Sequence, residues 1–147
     1  MKKQRQRGAV LVEFAVAMPI LLFLLVGVVD FGLILREYAL LQNGAREGVR
    51  LSVLPNYEIA AGLTAGDQTA RRDAIRQRVV DYLAGEGITI SISDVTVTQT
   101  DHIDLGGGTN AWASTVTATY TRSLLIGNGW PYGPTVLRGT AKWRNLY

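Results

Sequence analysis

The sequence predicts an α+β protein in which a long N-terminal helix and a second helix pack on a small antiparallel sheet of three to four strands. Two observations predict the helices. An apolar stretch near the start is followed by apolar residues at three- and four-residue steps, and such steps return between Ala70 and Leu83. A third observation predicts the sheet, because apolar and small polar residues alternate from Ile88 onward.

Residues 9–29 form the most apolar segment of the chain and predict a membrane-spanning helix. Fourteen of them are Val, Leu, Ile or Phe, and Glu13 is the only charged residue among them. At 1.5 Å per residue the segment is about 32 Å long, which matches the hydrocarbon thickness of a bilayer. The sequence argues against a cleaved secretory signal. Signal peptidase sites have two small residues separated by one position, and no such pair directly follows the apolar core.

Basic residues are concentrated at the N-terminal tip, where four of the 15 lysines and arginines occupy the first seven positions. From Ala9 onward, 11 basic residues stand against 12 acidic ones, so the net charge of +3 does not indicate a nucleic-acid-binding surface. Because basic residues stay on the cytoplasmic side of a membrane, the tip predicts a cytoplasmic N-terminus and a C-terminal domain on the opposite side.

The start of the apolar segment contains the most specific motif. The basic tip ends at Gly8, four apolar residues follow, and then come Glu13 and Phe14. This arrangement resembles the processing site of type IV prepilins. The resemblance implies cleavage between Gly8 and Ala9 by a prepilin peptidase, and pairing of Glu13 with the free amine of a neighbouring subunit, which would set the register of packed helices. In the alternative reading, Glu13 only extends to the membrane interface and Gly8 is incidental.

A longer stretch carries a closer resemblance. The run EFAVAMPILL from Glu13, the later Asp30-Phe31-Gly32 and the segment NGAREGVR at 43–50 are similar to the TadE family, pilin-like proteins of the tight-adherence (Flp) pilus. The resemblance extends to Leu54. Major Flp pilins are little more than the helix and usually have Tyr at the position of Phe14, so the resemblance favours a minor pilin or pseudopilin.

The resemblance implies a location and a set of partners. The chain would cross the bacterial inner membrane once, with its C-terminal domain in the periplasm. Its partners would be the prepilin peptidase, other pilins or pseudopilins, and Tad assembly proteins. An unprocessed membrane scaffold of the same secretion machinery is the alternative function. Incorporation into the pilus and methylation of Ala9 are left open.

The patterns divide the chain into a basic leader at 1–8, a long helix at 9–54, a linker at 55–69 and an α+β domain at 70–147. Pro55 is expected to end the long helix and Pro19 to kink it, although a Pro19 without any role is equally compatible with the sequence. Beyond residue 29 the helix has an apolar face that is expected to pack on the protein's own sheet, namely Phe31, Ile34, Leu35, Tyr38, Leu41 and Ala45.

The second helix is predicted at Ala70–Leu83, with Asp67 as a candidate cap. Alternating residues predict strands over Ile88–Ile92 and Val95–Thr98, separated by a bulge or bend, and over 112–120 and 137–143. Five large residues are predicted to form the core of the sheet: Trp112, Val116, Tyr120, Leu137 and Trp143.

The sequence contains no pattern that predicts catalysis, a metal site, a cofactor or a small-molecule substrate. There is no cysteine and His102 is the only histidine, so thiolate nucleophiles and multi-histidine metal sites are excluded. Asp101–Asp104 and the nearby glycines predict a flexible hairpin connection. In the loop 127–134, Trp130 and Tyr132 form either a contact surface for another subunit or a lid on the core, with the lid slightly favoured.

Overall fold

The computed structural model describes residues 2–57, 63–106, 110–125 and 133–145. The first element is a single helix, α1 (Lys2–Ser52), of 51 residues. It continues through Pro19, and it ends where the Ser52 hydroxyl donates a hydrogen bond to the carbonyl oxygen of Val49 at 2.7 Å. The end at Ser52 lies three residues before Pro55, close to the predicted stop.

The second helix, α2 (Ala65–Gly85), begins one turn earlier than predicted. Thr64, not Asp67, is the N-cap: its hydroxyl oxygen accepts a hydrogen bond from the Asp67 backbone N–H at 3.2 Å. Asp67 accepts in return from the Thr64 hydroxyl at 2.6 Å and from its backbone N–H at 3.3 Å, which completes a capping box. These bonds, the one from the hydroxyl first, lower the pKa of the Asp67 carboxyl.

Three strands form one antiparallel sheet in the order β1-β2-β3: β1 (Val95–Asp104), β2 (Asn110–Arg122) and β3 (Thr135–Arg144). Val116 at the centre of β2 pairs with Val97 on one side and Ala141 on the other. The register between β1 and β2 shifts between Thr98 and Asp101, where β1 contains a bulge. The α+β fold class predicted from the sequence is confirmed.

The predicted strand over Ile88–Ile92 is wrong. Ile88 and Ile90 are buried as the alternation implied, but they lie in irregular chain, and Ile92–Asp94 form a short 3₁₀ turn. The Ile88 backbone N–H donates to the Leu83 carbonyl, and the Ser91 N–H donates to the Asp94 carboxylate at 2.8 Å. These two backbone N–H groups are therefore hydrogen-bonded to the end of α2 and within the turn, and they are not available to pair with a neighbouring strand.

The core lies between the sheet and the two helices. Gly48 of α1 is so close to Val79 of α2 that a Cβ added there would lie 2.5 Å from the valine side chain. Both helices and all three strands contribute buried apolar residues, among them Leu41, Ala45, Val49, Ile75, Val79, Leu83, Val95, Val97, Val116, Ala118 and Leu137. Val116 and Leu137 are confirmed as core residues, and Tyr120 packs against the core while half-buried.

Trp112 and Trp143 do not belong to the core. They are 55% and 48% exposed, although each follows the alternation of its strand. The helices cover only part of the sheet: α1 ends at Ser52, whose carbonyl oxygen accepts a hydrogen bond from Gln99 at 3.1 Å. Trp112 pairs with His102, farther along β1, and so lies beyond the end of the covering helix.

Candidate functional site

The residues of the predicted processing site lie on the surface of α1. Gly8 is inside the helix, and a Cβ added there would meet no atom within 4 Å. Glu13 and Phe14 are both exposed, Phe14 by 62%. The helix starts before Gly8, so the predicted leader and the apolar segment form one continuous rod.

The apolar part of α1 has the properties of a membrane span. Its best 18-residue window has a mean hydropathy of 2.6, and none of that window is buried against the rest of the described protein. A helix this apolar and this exposed is stable in lipid but not in water. Among the described residues, α1 is thus the one helix long and apolar enough to cross a membrane.

The face of α1 that was predicted to pack on the sheet divides into two faces. Leu41 and Ala45 are buried against the domain and Ile34 packs at its edge, as predicted. The domain does not cover the other three members, which are exposed: Phe31 by 62%, Leu35 by 52% and Tyr38 by 45%. The prediction that these three pack on the protein's own sheet is wrong, because the apolar arc of α1 is wider than the surface that the domain covers.

These exposed side chains belong to a longer row, which we call the α1 stripe: Leu24, Val28, Phe31, Leu35 and Tyr38. Its members alternate steps of three and four residues, the spacing by which one helix packs on another. Glu13 precedes Phe31 by 18 residues, which is five helical turns, so its carboxylate lies on the same side of the helix. The stripe therefore begins at Leu24, on the C-terminal side of Glu13 within the membrane segment, and continues into the part of α1 that follows this segment.

A cluster of three charged residues joins the membrane end of the domain to α1. Arg122, at the end of β2, donates a hydrogen bond from Nη1 to Glu37 Oε1, and its Nη2 lies 3.4 Å from Asp30 Oδ1. The backbone N–H of Leu125 donates to both oxygens of Asp30, at 2.9 and 3.2 Å. We call Asp30, Glu37 and Arg122 the ion-pair cluster.

The ion-pair cluster is removed from solvent. The side chains of Arg122, Asp30 and Glu37 are only 9%, 7% and 16% exposed. The hydrogen bond to Glu37 raises the pKa of Arg122 above its usual value, burial opposes this effect, and the charges of both carboxylates add to it. Both carboxylates thus favour the charged form of Arg122.

The sequence contained little to reveal this cluster. Asp30 and Glu37 are seven residues apart, which places them on one face of α1, and this much could have been inferred. Arg122 lies 85 residues beyond Glu37, and no local pattern identifies its partners. Only the antiparallel packing of β2 along the helix brings them together.

Two of the predicted contact residues, Trp130 and Tyr132, lie outside the described residues. Within the described ranges, no group of three or more His, Cys, Asp or Glu residues is arranged to hold a metal ion. The features with functional potential are therefore the exposed helix around Glu13, the α1 stripe and the ion-pair cluster.

Comparison with known protein families gives one match. Residues 8–50 match the family described as TadE-like protein. This segment is TadE-like. The TadE-like segment runs from Gly8 to Arg50, and thus contains Glu13, the α1 stripe and the two acids of the ion-pair cluster. No curated protein and no solved structure matches the chain.

The match confirms that this segment resembles the TadE family. It covers α1 almost completely and ends before α2 and the sheet. The TadE-like segment is thus the membrane helix together with the surface on which the domain packs.

Proposed function

We propose that the chain is a minor pilin or pseudopilin of a Tad/Flp-type pilus, which helps to initiate or assemble the fibre by packing its N-terminal helix against helices of other subunits. In this proposal the prepilin peptidase cleaves after Gly8, the basic tip stays in the cytoplasm, and the folded domain lies in the periplasm. The observation that carries the proposal is that Glu13 and the α1 stripe share one side of α1 and that the domain leaves these side chains exposed.

The electrostatics of Glu13 support this role. An isolated carboxylate one turn inside the hydrocarbon costs a few kcal/mol, so it requires a partner or access to water. Cleavage after Gly8 would create a free amine at Ala9 on each neighbouring subunit. A carboxylate that pairs with this amine fixes the axial position of one helix against the next.

The state of the N-terminus tests the processing step. We expect the intact mass of the protein extracted from membranes to correspond to a chain that starts at Ala9. A mass that includes residues 1–8 would instead support the alternative function, an unprocessed scaffold. Because Gly8→Ala leaves the helix intact but alters the residue at the cleavage position, it should yield the uncleaved mass.

The variant Glu13→Gln tests the pairing of Glu13. We expect it to insert into the membrane at the normal level and to lose pilus production, because the amide has nearly the same shape but no charge to bind an ammonium. Electron microscopy of fibres and a surface-adherence assay measure the outcome. Glu47→Gln is the matched control, since Glu47 lies on the same helix but pairs with Arg78 of the protein's own α2. Normal fibres in Glu13→Gln would contradict the proposal.

The variant Leu35→Glu tests the α1 stripe. Leu35 is 52% exposed, so the domain should fold normally, but a charge in the middle of the stripe should weaken association with neighbouring subunits. Burial of one leucine contributes about 2 kcal/mol, so we expect at least roughly a tenfold loss in co-purified subunits. Leu54→Glu is the control, because Leu54 is similarly exposed but lies after the end of α1. Equal recovery of subunits with both variants would show that the stripe is not a packing surface.

A further inference from the structure

The membrane boundary can be located on α1. Asp30 is the first charged residue after the apolar segment, and the 21 residues before it span about 32 Å, the thickness of the hydrocarbon. Asp30 therefore lies at the boundary between the hydrocarbon and the headgroup layer, on the side of the membrane that carries the domain.

Strand β2 runs along α1 toward this boundary. Val116 lies opposite Gly48, where an added Cβ would be 3.1 Å from the valine. Six residues later Arg122 reaches Glu37 and Asp30, and the backbone N–H of Leu125 donates to Asp30 at 2.9 Å. Each step along β2 thus corresponds to a position on α1 that is nearer to the membrane, and Leu125 is level with the boundary residue.

Just beyond the end of β2, two leucines lie at this level. The side chain of Leu125 is 61% exposed, and Leu124 beside it is half-buried. The nearest charges do not face solvent, because the carboxylate of Asp30 is occupied by the Leu125 N–H and by Arg122. The backbone N–H of Leu125 is already hydrogen-bonded, and its apolar side chain is more stable at the headgroup–acyl boundary than in water.

We propose that Leu124 and Leu125, which follow the membrane-side end of β2, insert into the interfacial layer of the bilayer that α1 crosses. The bilayer itself is the occupant of this surface, because the surface is continuous with the membrane-spanning segment through the contact between Leu125 and Asp30. The domain is then held upright on the membrane at two points, the helix and the end of β2. This inference does not depend on cleavage after Gly8 or on any pilus partner.

The absence of cysteine allows a direct test with the full chain. Leu125→Cys, labelled with an environment-sensitive fluorophore, is reconstituted into phosphatidylcholine vesicles with and without lipid that is brominated near the top of its acyl chains. An apolar side chain in the interface lies about 5–10 Å below the membrane surface, within reach of the bromine, so we expect the brominated lipid to quench at least roughly half of the fluorescence.

Leu54→Cys is the matched control, because it is also an exposed leucine but follows the end of α1, about 33 Å of helix beyond Asp30. Brominated lipid should leave its label unchanged, whereas iodide in the water should quench it efficiently. If iodide quenches the label at position 125 as well as the label at position 54, the end of β2 lies in water and the proposal is wrong. It is equally wrong if neither quencher reaches position 125, because protein then covers this surface.

Discussion

Replacing Arg122 with alanine should destabilise the domain more than any other single charge removal among its described ion pairs. The change leaves two carboxylates, those of Asp30 and Glu37, buried beside each other without a compensating charge. Breaking a buried ion pair from one side costs roughly 3–5 kcal/mol, which for a domain of this size lowers the melting temperature by more than about 10 °C. Thermal unfolding of the full chain in detergent, followed by circular dichroism, measures the change.

Arg78→Ala is the matched control, because it breaks an ion pair of the same chemistry at the surface. The side chains of Arg78 and Glu47 are 55% and 27% exposed, and such surface pairs contribute little to stability. A triple variant, Asp30→Asn, Glu37→Gln and Arg122→Met, should recover much of the stability lost in Arg122→Ala, since no buried charge is then left unpaired. Equal melting temperatures for Arg122→Ala and Arg78→Ala would show that the ion-pair cluster does not hold the domain on α1.

Replacing Gly139 with alanine should produce the second large effect. In β3, Gly139 pairs with Ala118 and faces α1 directly. A Cβ at this position would lie 2.3 Å from the carbonyl carbon of Leu41 and 2.6 Å from the backbone nitrogen of Gln42. Because the clash is with backbone, no rotamer change relieves it, so the sheet and the helix must separate. Overpacking of this kind costs about 1–3 kcal/mol, and we expect the upper end of that range.

Gly85→Ala is the control for Gly139→Ala, since a Cβ at position 85 would meet no atom within 4 Å. The melting temperature of Gly85→Ala should be close to that of the parent protein, while that of Gly139→Ala should fall by about 10 °C or more. A Gly139→Ala protein with unchanged stability would show that α1 and β3 do not approach each other as closely as described.

The sequence predicted the elements whose signals are local. The run of apolar residues between Ala9 and Val29 predicts the membrane helix from its length alone, and alternation predicts β2 and β3 because the side chains of a half-buried strand alternate. Local sequence patterns do not predict the burial of a residue when that burial depends on which element packs against it. Trp112 and Val116 follow the same alternation in β2, but α1 ends before it can cover Trp112.

The same limitation applies to the candidate site. Gly8, Glu13 and Phe14 lie within seven consecutive residues, so the sequence alone suggests them as a processing motif. The stripe was recognised as apolar, but periodicity does not reveal whether the protein's own sheet or another molecule covers Phe31, Leu35 and Tyr38. The ion-pair cluster requires a contact across 85 residues of sequence, which only the folded arrangement supplies.

The continuity of α1 has a mechanical consequence. The helix passes without interruption from the membrane to Ser52. The domain is hydrogen-bonded to it at two places, at Asp30 next to the membrane segment and at Ser52 at the C-terminal end. A force that pulls the helix out of the membrane therefore moves the domain together with the helix. Each turn of helix withdrawn from the bilayer lifts the domain by about 5.4 Å, and the resistance to extraction arises in lipid, with no rearrangement of the folded part.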